Sequence, residues 1–176
     1  MFISFEGIDG SGKSTQIELV KNYFDQKGYN VVVIREPGGT NLSEQIRNLL
    51  LHSEMKINPI SELFLFESAR ADLVEKVIIK ELESGKIVLT DRFFDSTTAY
   101  QGYGRGLDVN MINKINLFAT RNLQPDLTFY LDISLQTSFR RSKNKTKDRI
   151  ENSSNDFYKK VINGFNELAN KYPERI

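Results

Sequence analysis

Gly7-Ile8-Asp9-Gly10-Ser11-Gly12-Lys13-Ser14 follows directly on the apolar run from Met1 to Phe5. This is the pattern G-x-x-x-x-G-K-[ST], and its setting predicts a strand before it and a helix after it. The glycines let the backbone wrap a phosphate with its N–H groups pointing inward, a geometry that a Cβ resists. Lys13 can then reach β- and γ-phosphates, and the Ser14 hydroxyl can ligate Mg²⁺. A helix beginning near Lys13 adds its positive N-terminal end. A chain that opens this way is expected to bind a nucleoside triphosphate through Gly7 to Thr15.

The rest of the composition narrows what can be built on that start. At 176 residues the chain fits one domain over 1–176 with a real core. Lys+Arg 24 against Asp+Glu 23 leaves a net charge of +1, so no global field argues for a nucleic-acid or membrane partner. With no cysteine there is no disulfide framework, thiolate metal site or cysteine nucleophile. His52, the single histidine, argues against a histidine-based triad or zinc site. No long uncharged apolar stretch and no basic-then-apolar leader is read, so a cytoplasmic protein is expected.

Short β-rich runs alternate with longer helical patterns. Strands are expected at Met1–Glu6, Asn30–Arg35, Lys86–Asp91 and Leu127–Asp132. Val31-Val32-Val33-Ile34 is apolar on both faces, as a buried parallel strand requires. Helices are expected over Lys13–Lys27, with Ile17, Val20 and Phe24 on one face and Gly28 as its stop, and over Leu42–Leu51. A long helix over Ser61–Ser84 ends at Gly85. Further helices are read near Ser96–Gln101, Asn110–Asn122, from the Ser134 cap to about Ser142, and over Asn155–Lys171. This alternation implies a mostly parallel sheet covered on both sides, with the ligand outside the C-terminal strand ends.

Four more segments fall at those ends. Arg35-Glu36-Pro37-Gly38-Gly39-Thr40 is a tight loop able to approach a ligand closely, or an ordinary turn. Phe66 and Arg70 lie four apart on the long helix and share a face. A flat ring beside a guanidinium suits a nucleobase, but residue types alone favour a core aromatic with a surface arginine. Asp91-Arg92-Phe93 closes the third strand. Asp91 there is the usual Mg²⁺ partner beside a phosphate loop, and Arg92 can clamp a second anion; a strand-end ion pair is the plainer reading. The run Arg140 to Arg149 carries six basic residues in ten. It reads either as a solvated loop or as a lid, about 140–151, that closes arginines over a transferring phosphoryl group.

Taken in order, these segments resemble bacterial thymidylate kinases, within the P-loop nucleoside monophosphate kinases. The resemblance covers nearly the whole chain. It rests on Phe5-Glu6-Gly7-Ile8-Asp9-Gly10-Ser11-Gly12-Lys13-Ser14-Thr15, the Arg35–Thr40 loop, Phe66 with Arg70, Asp91-Arg92-Phe93, Ala99-Tyr100-Gln101-Gly102-Tyr103-Gly104-Arg105-Gly106 and Asp148-Arg149-Ile150-Glu151. It implies a three-layer α/β/α P-loop kinase with a parallel sheet in the order 2-3-1-4, its fifth strand absent from this chain. It also implies MgATP as donor, dTMP as acceptor and a symmetric homodimer. By the same resemblance Phe66 stacks on thymine, Arg70 bonds its exocyclic oxygen, and Thr97 and Gln101 face the base. Arg92 holds the 5′-phosphate with Arg35 nearby, Tyr100 lies under the sugar, and Asp9 sits between the two nucleotides. Gly10 stands where one branch of the family has its catalytic arginine, so that arginine is expected in the lid, with Arg140 and Arg149 the leading candidates. Phe93 departs from the family's usual tyrosine.

Two rival classes follow from the residues. A nucleotide-controlled switch needs a guanine-reading Asn-Lys-x-Asp loop; in Asn144-Lys145-Thr146-Lys147-Asp148 the Asp falls one place late and no strand precedes it. A nucleic-acid-stimulated ATPase is disfavoured by the near-neutral charge.

Overall fold

In the computed structural model, residues 1–142 and 148–176 are described. Four strands, β1 (Phe2–Glu6), β2 (Val31–Arg35), β3 (Ile87–Asp91) and β4 (Leu127–Tyr130), form one parallel sheet in the order β2-β3-β1-β4. The register sets Phe2 beside Val88, Ile3 beside Leu127 and Val31 beside Ile87. The crossovers are helical: α1 (Lys13–Gln26), α2 (Asn41–His52), α3 (Pro59–Leu73), α4 (Ile79–Glu83), α5 (Phe94–Thr97) and α6 (Val109–Ala119); α7 (Leu135–Ser142) and α8 (Asn155–Lys171) follow β4.

Strand alternation sorts the core into layers. Ile3 and Phe5 of β1, with Ile87 and Leu89 of β3, pack on Ile17, Val20 and Phe24 of α1. Phe2 and Val88 point the other way, onto Leu73, Val74, Ile78 and the Phe93–Phe94 pair. A third cluster joins α2, α3 and α8 around Leu50, Tyr100, Phe157 and Phe165 at the strand ends.

The apolar run Val31–Ile34 is not buried on both sides. β2 is the edge of the sheet, and Val33 is 44% exposed. Composition resembles a central strand here because β-branched residues suit any pleated surface. The long helix expected over Ser61–Ser84 begins earlier, at Pro59 under an Asn58 cap. It is interrupted by a π-helical stretch, Val74–Ile78, before α4. A second π-helical stretch, Thr98–Gly104, continues α5 and carries Tyr100 and Gln101. Extra residues of this kind shift side-chain phase, which is why period alone missed them. Helix α6 stops at Ala119 rather than Asn122, because Arg121 and Asn122 turn left-handed, at φ of 54° and 62°.

Candidate active site

β1 delivers the phosphate loop, and α1 begins at its end. Gly12 caps α1 at φ 100°, a left-handed conformation that favours glycine. No acidic residue occupies the first turn, so its N–H groups face outward uncontested by a carboxylate. Lys13 is buried; its Nζ donates to the Gly7 and Ile8 carbonyls at 3.1 and 3.3 Å and lies 3.9 Å from Asp91. Burial, then repulsion from Arg92, pushes its ammonium down to about 8. The Ser14 hydroxyl donates to Asp91 at 3.2 Å across the β1–β3 neighbours. Two hard oxygens side by side at a phosphate loop fit Mg²⁺, which takes one or two protein oxygens and leaves the rest to phosphates and water. Among the described residues no cluster of three or more His, Cys, Asp or Glu offers an all-protein metal cage.

One strand over, β3 ends in the turn that holds Arg92. Arg92 sits at φ 71°, unusual for a side chain with a Cβ, and the surroundings hold it there. Its Nη1 donates to the Gly7 carbonyl at 2.7 Å and to Ser96 Oγ at 3.1 Å. Its Nη2 donates to Asp9 at 2.7 Å and to the Tyr100 hydroxyl at 3.3 Å. Burial raises the Asp9 carboxyl, but the Arg92 charge and hydrogen bond, with Lys13, hold it below its ordinary value. Beneath this turn lies a residue not singled out from sequence. Glu6 is buried, accepts from the Phe93 N–H at 2.7 Å and meets Ser96 Oγ at 2.5 Å. Burial and the neighbouring Asp95 raise its carboxyl to about 8. A charged residue closing a strand that is apolar but for Ser4 was the available signal.

The far end of the cleft is built on α3. Arg70 is not a surface arginine: it is 3% exposed, its Nε donates to Glu36 at 2.8 Å, and its Nη1 pairs with Glu67. Its guanidinium also lies 5.5 Å from the Phe93 ring centre. Glu36 Oε1 and Glu67 Oε2 are buried without a hydrogen-bond partner. Burial raises the Glu36 carboxyl to about 7 against the pull of Arg70. Phe66, one turn away, is half-buried on the same wall.

These groups line one cleft of about 690 Å³, within the range of small-ligand sites. It runs from Lys13, Ser14 and Asp91 past Asp9, Arg92 and Tyr100 to Thr97, Gln101, Phe66 and Arg70, with Arg35 at its edge. Arg35 is exposed and pairs with Glu44 at 3.1 Å.

The residues of the expected lid separate. Lys143, Asn144, Lys145, Thr146 and Lys147 lie outside the described residues, and with them most of the guanine-loop-like run. Arg140 is exposed on α7 and does not line the cleft. Arg149 faces away from the cleft, donating to Glu62 at 2.6 Å and to the Leu50 carbonyl at 2.7 Å. Of the three arginines Arg140, Arg141 and Arg149, Arg141 is the one at the phosphate loop: its Nη1 donates to the Gly10 carbonyl at 3.1 Å and to the Ser11 carbonyl at 3.4 Å. Ser138 Oγ donates to the Asp9 carbonyl at 2.7 Å, seating α7 on the loop. A Cβ at Gly10 would lie 3.0 Å from Ser142 Oγ and 3.1 Å from the Ser138 carbonyl. A side chain at Gly10 would therefore crowd α7 and sit at a φ of 74° that favours glycine.

The sequence profile of the family described as Thymidylate kinase matches residues 5–176. The chain belongs to the thymidylate kinase family. A thymidylate kinase of Kosmotoga olearia is 50% identical over 177 residues, spanning 100% of this chain and 85% of the relative. That of Chlorobaculum tepidum is 48% identical over 186 residues, spanning 100% and 87%. Among solved structures, the crystal structure of thymidylate kinase from Ehrlichia chaffeensis superposes with a TM-score of 0.83 at 41% identity, over 99% of this chain and 89% of that one. The four-stranded order β2-β3-β1-β4 is thus that of a P-loop kinase.

Proposed function

We propose that this chain transfers the γ-phosphoryl group of MgATP to dTMP, giving ADP and dTDP. The observation that carries the reading is the continuity of the cleft. A triphosphate grip at Lys13 and Ser14, a second anion clamp at Arg92, and a ring-plus-guanidinium pair at Phe66 and Arg70 open into one space. Two nucleotides can therefore meet end to end, with the acceptor phosphate at Arg92 and its base at Phe66.

The acceptor oxygen is already anionic at neutral pH, so no strong general base is needed. Catalysis becomes in-line positioning and charge neutralisation. Lys13 neutralises charge on the transferring group from the donor side and Arg92 from the acceptor side, with Asp9 holding Arg92 in register. Arg141 approaches from the lid. Gly7 to Thr15 supply the loop, and Arg35 and Thr97 complete the acceptor wall. Tyr100, buried beneath Asp9 and Arg92, forms the sugar floor and crowds a 2′-hydroxyl. Ser14 and Asp91 would hold Mg²⁺, which screens the β- and γ-phosphate charge when bound.

A homodimer is supported by an apolar stripe across two packed helices. Ile60 and Phe64 of α3 and Met111 of α6 are each 56% exposed, and Phe118 of α6 is 88% exposed. Residues 1–176 are read as one kinase domain with its lid at about 140–151. Among the described residues no helix is long and apolar enough to cross a membrane, and we place the enzyme in the cytoplasm.

A steady-state assay with ATP and a panel of dTMP, dUMP, dCMP, UMP and AMP tests the reading. Turnover with dTMP well above the others is expected. ATP hydrolysis without an acceptor, or equal use of every acceptor, would reject it.

A further inference from the structure

The acceptor wall contains a polar device that the substrate contacts alone do not explain. Glu62, in the first turn of α3, is 1% exposed and accepts four hydrogen bonds. Its Oε1 takes Gln101 Nε2 at 2.9 Å and Arg105 Nε at 3.0 Å. Its Oε2 takes Arg105 Nη2 at 3.2 Å and Arg149 Nη2 at 2.6 Å. Arg105 is itself held over the Phe157 ring of α8, 4.4 Å from its centre.

Two guanidiniums and an amide around one carboxylate have a definite consequence. An ionised carboxylate only accepts hydrogen bonds. Burial works against its charge, but the bonds from Arg105 and Gln101 hold the carboxyl below its ordinary value. A carboxamide beside such a group has one favourable orientation: NH₂ toward the carboxylate and carbonyl oxygen away from it. Gln101 is buried and lines the cleft on the same wall as Thr97 and Phe66. Its orientation therefore decides whether the wall offers the ligand an acceptor or a donor.

We infer that Glu62 is a positioning residue for base selection: by fixing the Gln101 amide, it makes the acceptor site present a carbonyl oxygen to the N3 edge of the base. Thymine and uracil carry an N3–H there and donate to that oxygen. Cytosine has a bare N3 acceptor, and two acceptors facing each other repel. The arginines serve as the lock, since Arg105 and Arg149 keep Glu62 ionised and Gln101 unable to turn. Arg149 also anchors the start of the segment Asp148–Glu151, whose Asp148, Ile150 and Glu151 line the cleft as well. This inference rests on dTMP being the acceptor.

The test compares kcat/KM for dTMP and dCMP in the full-length protein, with thermal unfolding followed in parallel. In Glu62→Gln the neighbour becomes an amide that can donate as well as accept, so Gln101 can turn. The dTMP-to-dCMP ratio should fall at least tenfold, through KM for dTMP more than through kcat. Glu62→Asp, which keeps the acceptor-only charge, should recover part of the ratio. Gln101→Leu should lose the same discrimination, and adding Glu62→Gln to it should change the ratio no further. An unchanged ratio in folded Glu62→Gln overturns the inference. So does a ratio that survives in Gln101→Leu, whatever the folding of the Glu62 variants, or one that keeps falling in the double variant. Failure of the parent protein to use dTMP overturns the dTMP reading and this inference together, whereas the other failures leave that reading standing.

Discussion

At the scale of single residues, this site is built from charges removed from water and matched to one another. Arg70 shows the cost of breaking such a match. Its partners Glu36 and Glu67 are buried, each with one oxygen that has no partner. Arg70→Gln strands two carboxylates and should destabilise the fold by about 3–5 kcal/mol, the usual loss when one member of a buried ion pair is removed. Arg140→Gln, on the exposed face of α7, should stay within about 0.5 kcal/mol. Urea unfolding of the two variants at pH 7 measures the difference, and similar midpoints would mean that Arg70 is effectively solvated. Glu6 makes a prediction about pH. Its folded carboxyl releases a proton near pH 8, against 4.5 for the ordinary group. Between those values the folded state binds more protons than the unfolded chain, so stability falls as pH rises through that window. The slope from one such group approaches about 1.4 kcal/mol per pH unit at its steepest. Glu36, raised to about 7, adds to the same trend. The depressed carboxyls of Asp9 and Glu62 act with the opposite sign, chiefly below pH 5. Glu6→Gln keeps the shape and removes the titration, so its stability loss from pH 5.5 to 8 should be smaller than the parent's by at least ~1 kcal/mol. Parallel pH curves for the two proteins would show that Glu6 does not titrate in this range.

At the scale of elements, α7 is the piece whose function its position decides. Ser138 and Arg141 fasten it to the phosphate loop at the Asp9, Gly10 and Ser11 carbonyls. Arg141→Ala should lower kcat about 10²-fold at saturating ATP and dTMP, as loss of one preorganised charge contact does elsewhere. Arg141→Lys should recover only part of this, lacking the planar fork. Arg140→Ala should be near the parent, and Arg149→Ala should act mainly on KM for dTMP and on stability. An Arg141→Ala enzyme within about twofold of the parent, roughly 0.4 kcal/mol, would remove the lid arginine from the mechanism. How far the sequence reaches is visible in this element. The basic run and the missing side chain at Gly10 point to lid arginines, because motif spacing records which chemistry is needed. Spacing does not record which of three neighbouring guanidiniums turns inward. That depends on Glu62 and the Leu50 carbonyl capturing Arg149, contacts between residues 87 and 99 positions apart. The phosphate loop was legible because it is a local device. The burial of Arg70 was not, since its two carboxylates come from different elements. The parallel sheet followed from alternation and the strand order from the family pattern, while the π-helical stretches were missed because an inserted residue changes helical phase rather than hydrophobic period.

At the scale of the whole molecule, the surface still carries apolar area that a monomer has no use for. Ile60 and Phe64 stand one turn apart on α3, and Met111 and Phe118 two turns apart on α6. The two helices pack together, and we read the four exposed side chains on them as one stripe. A phenylalanine at 88% exposure is costly to hydrate, and a two-fold partner offers the same stripe in return. A stable dimer of this kind covers about 800 Å² per partner, which two adjoining helix faces can supply. Light scattering after gel filtration should therefore give twice the 20.2 kDa chain mass for the parent protein. Phe118→Asp places a charge on the stripe and should shift the protein to the monomer at micromolar concentration. Leu19→Asp, at 57% exposure on the opposite α1 face, should leave the dimer intact. Dissociation by Leu19→Asp but not by Phe118→Asp would move the interface to the α1 side of the sheet. A parent protein that runs as a monomer would leave the stripe without a partner copy. The cleft lies at the strand ends, away from α6, and no α6 residue lines it. A folded Phe118→Asp monomer should therefore retain the parent's KM for ATP within about twofold, and a large rise would show that association shapes the site.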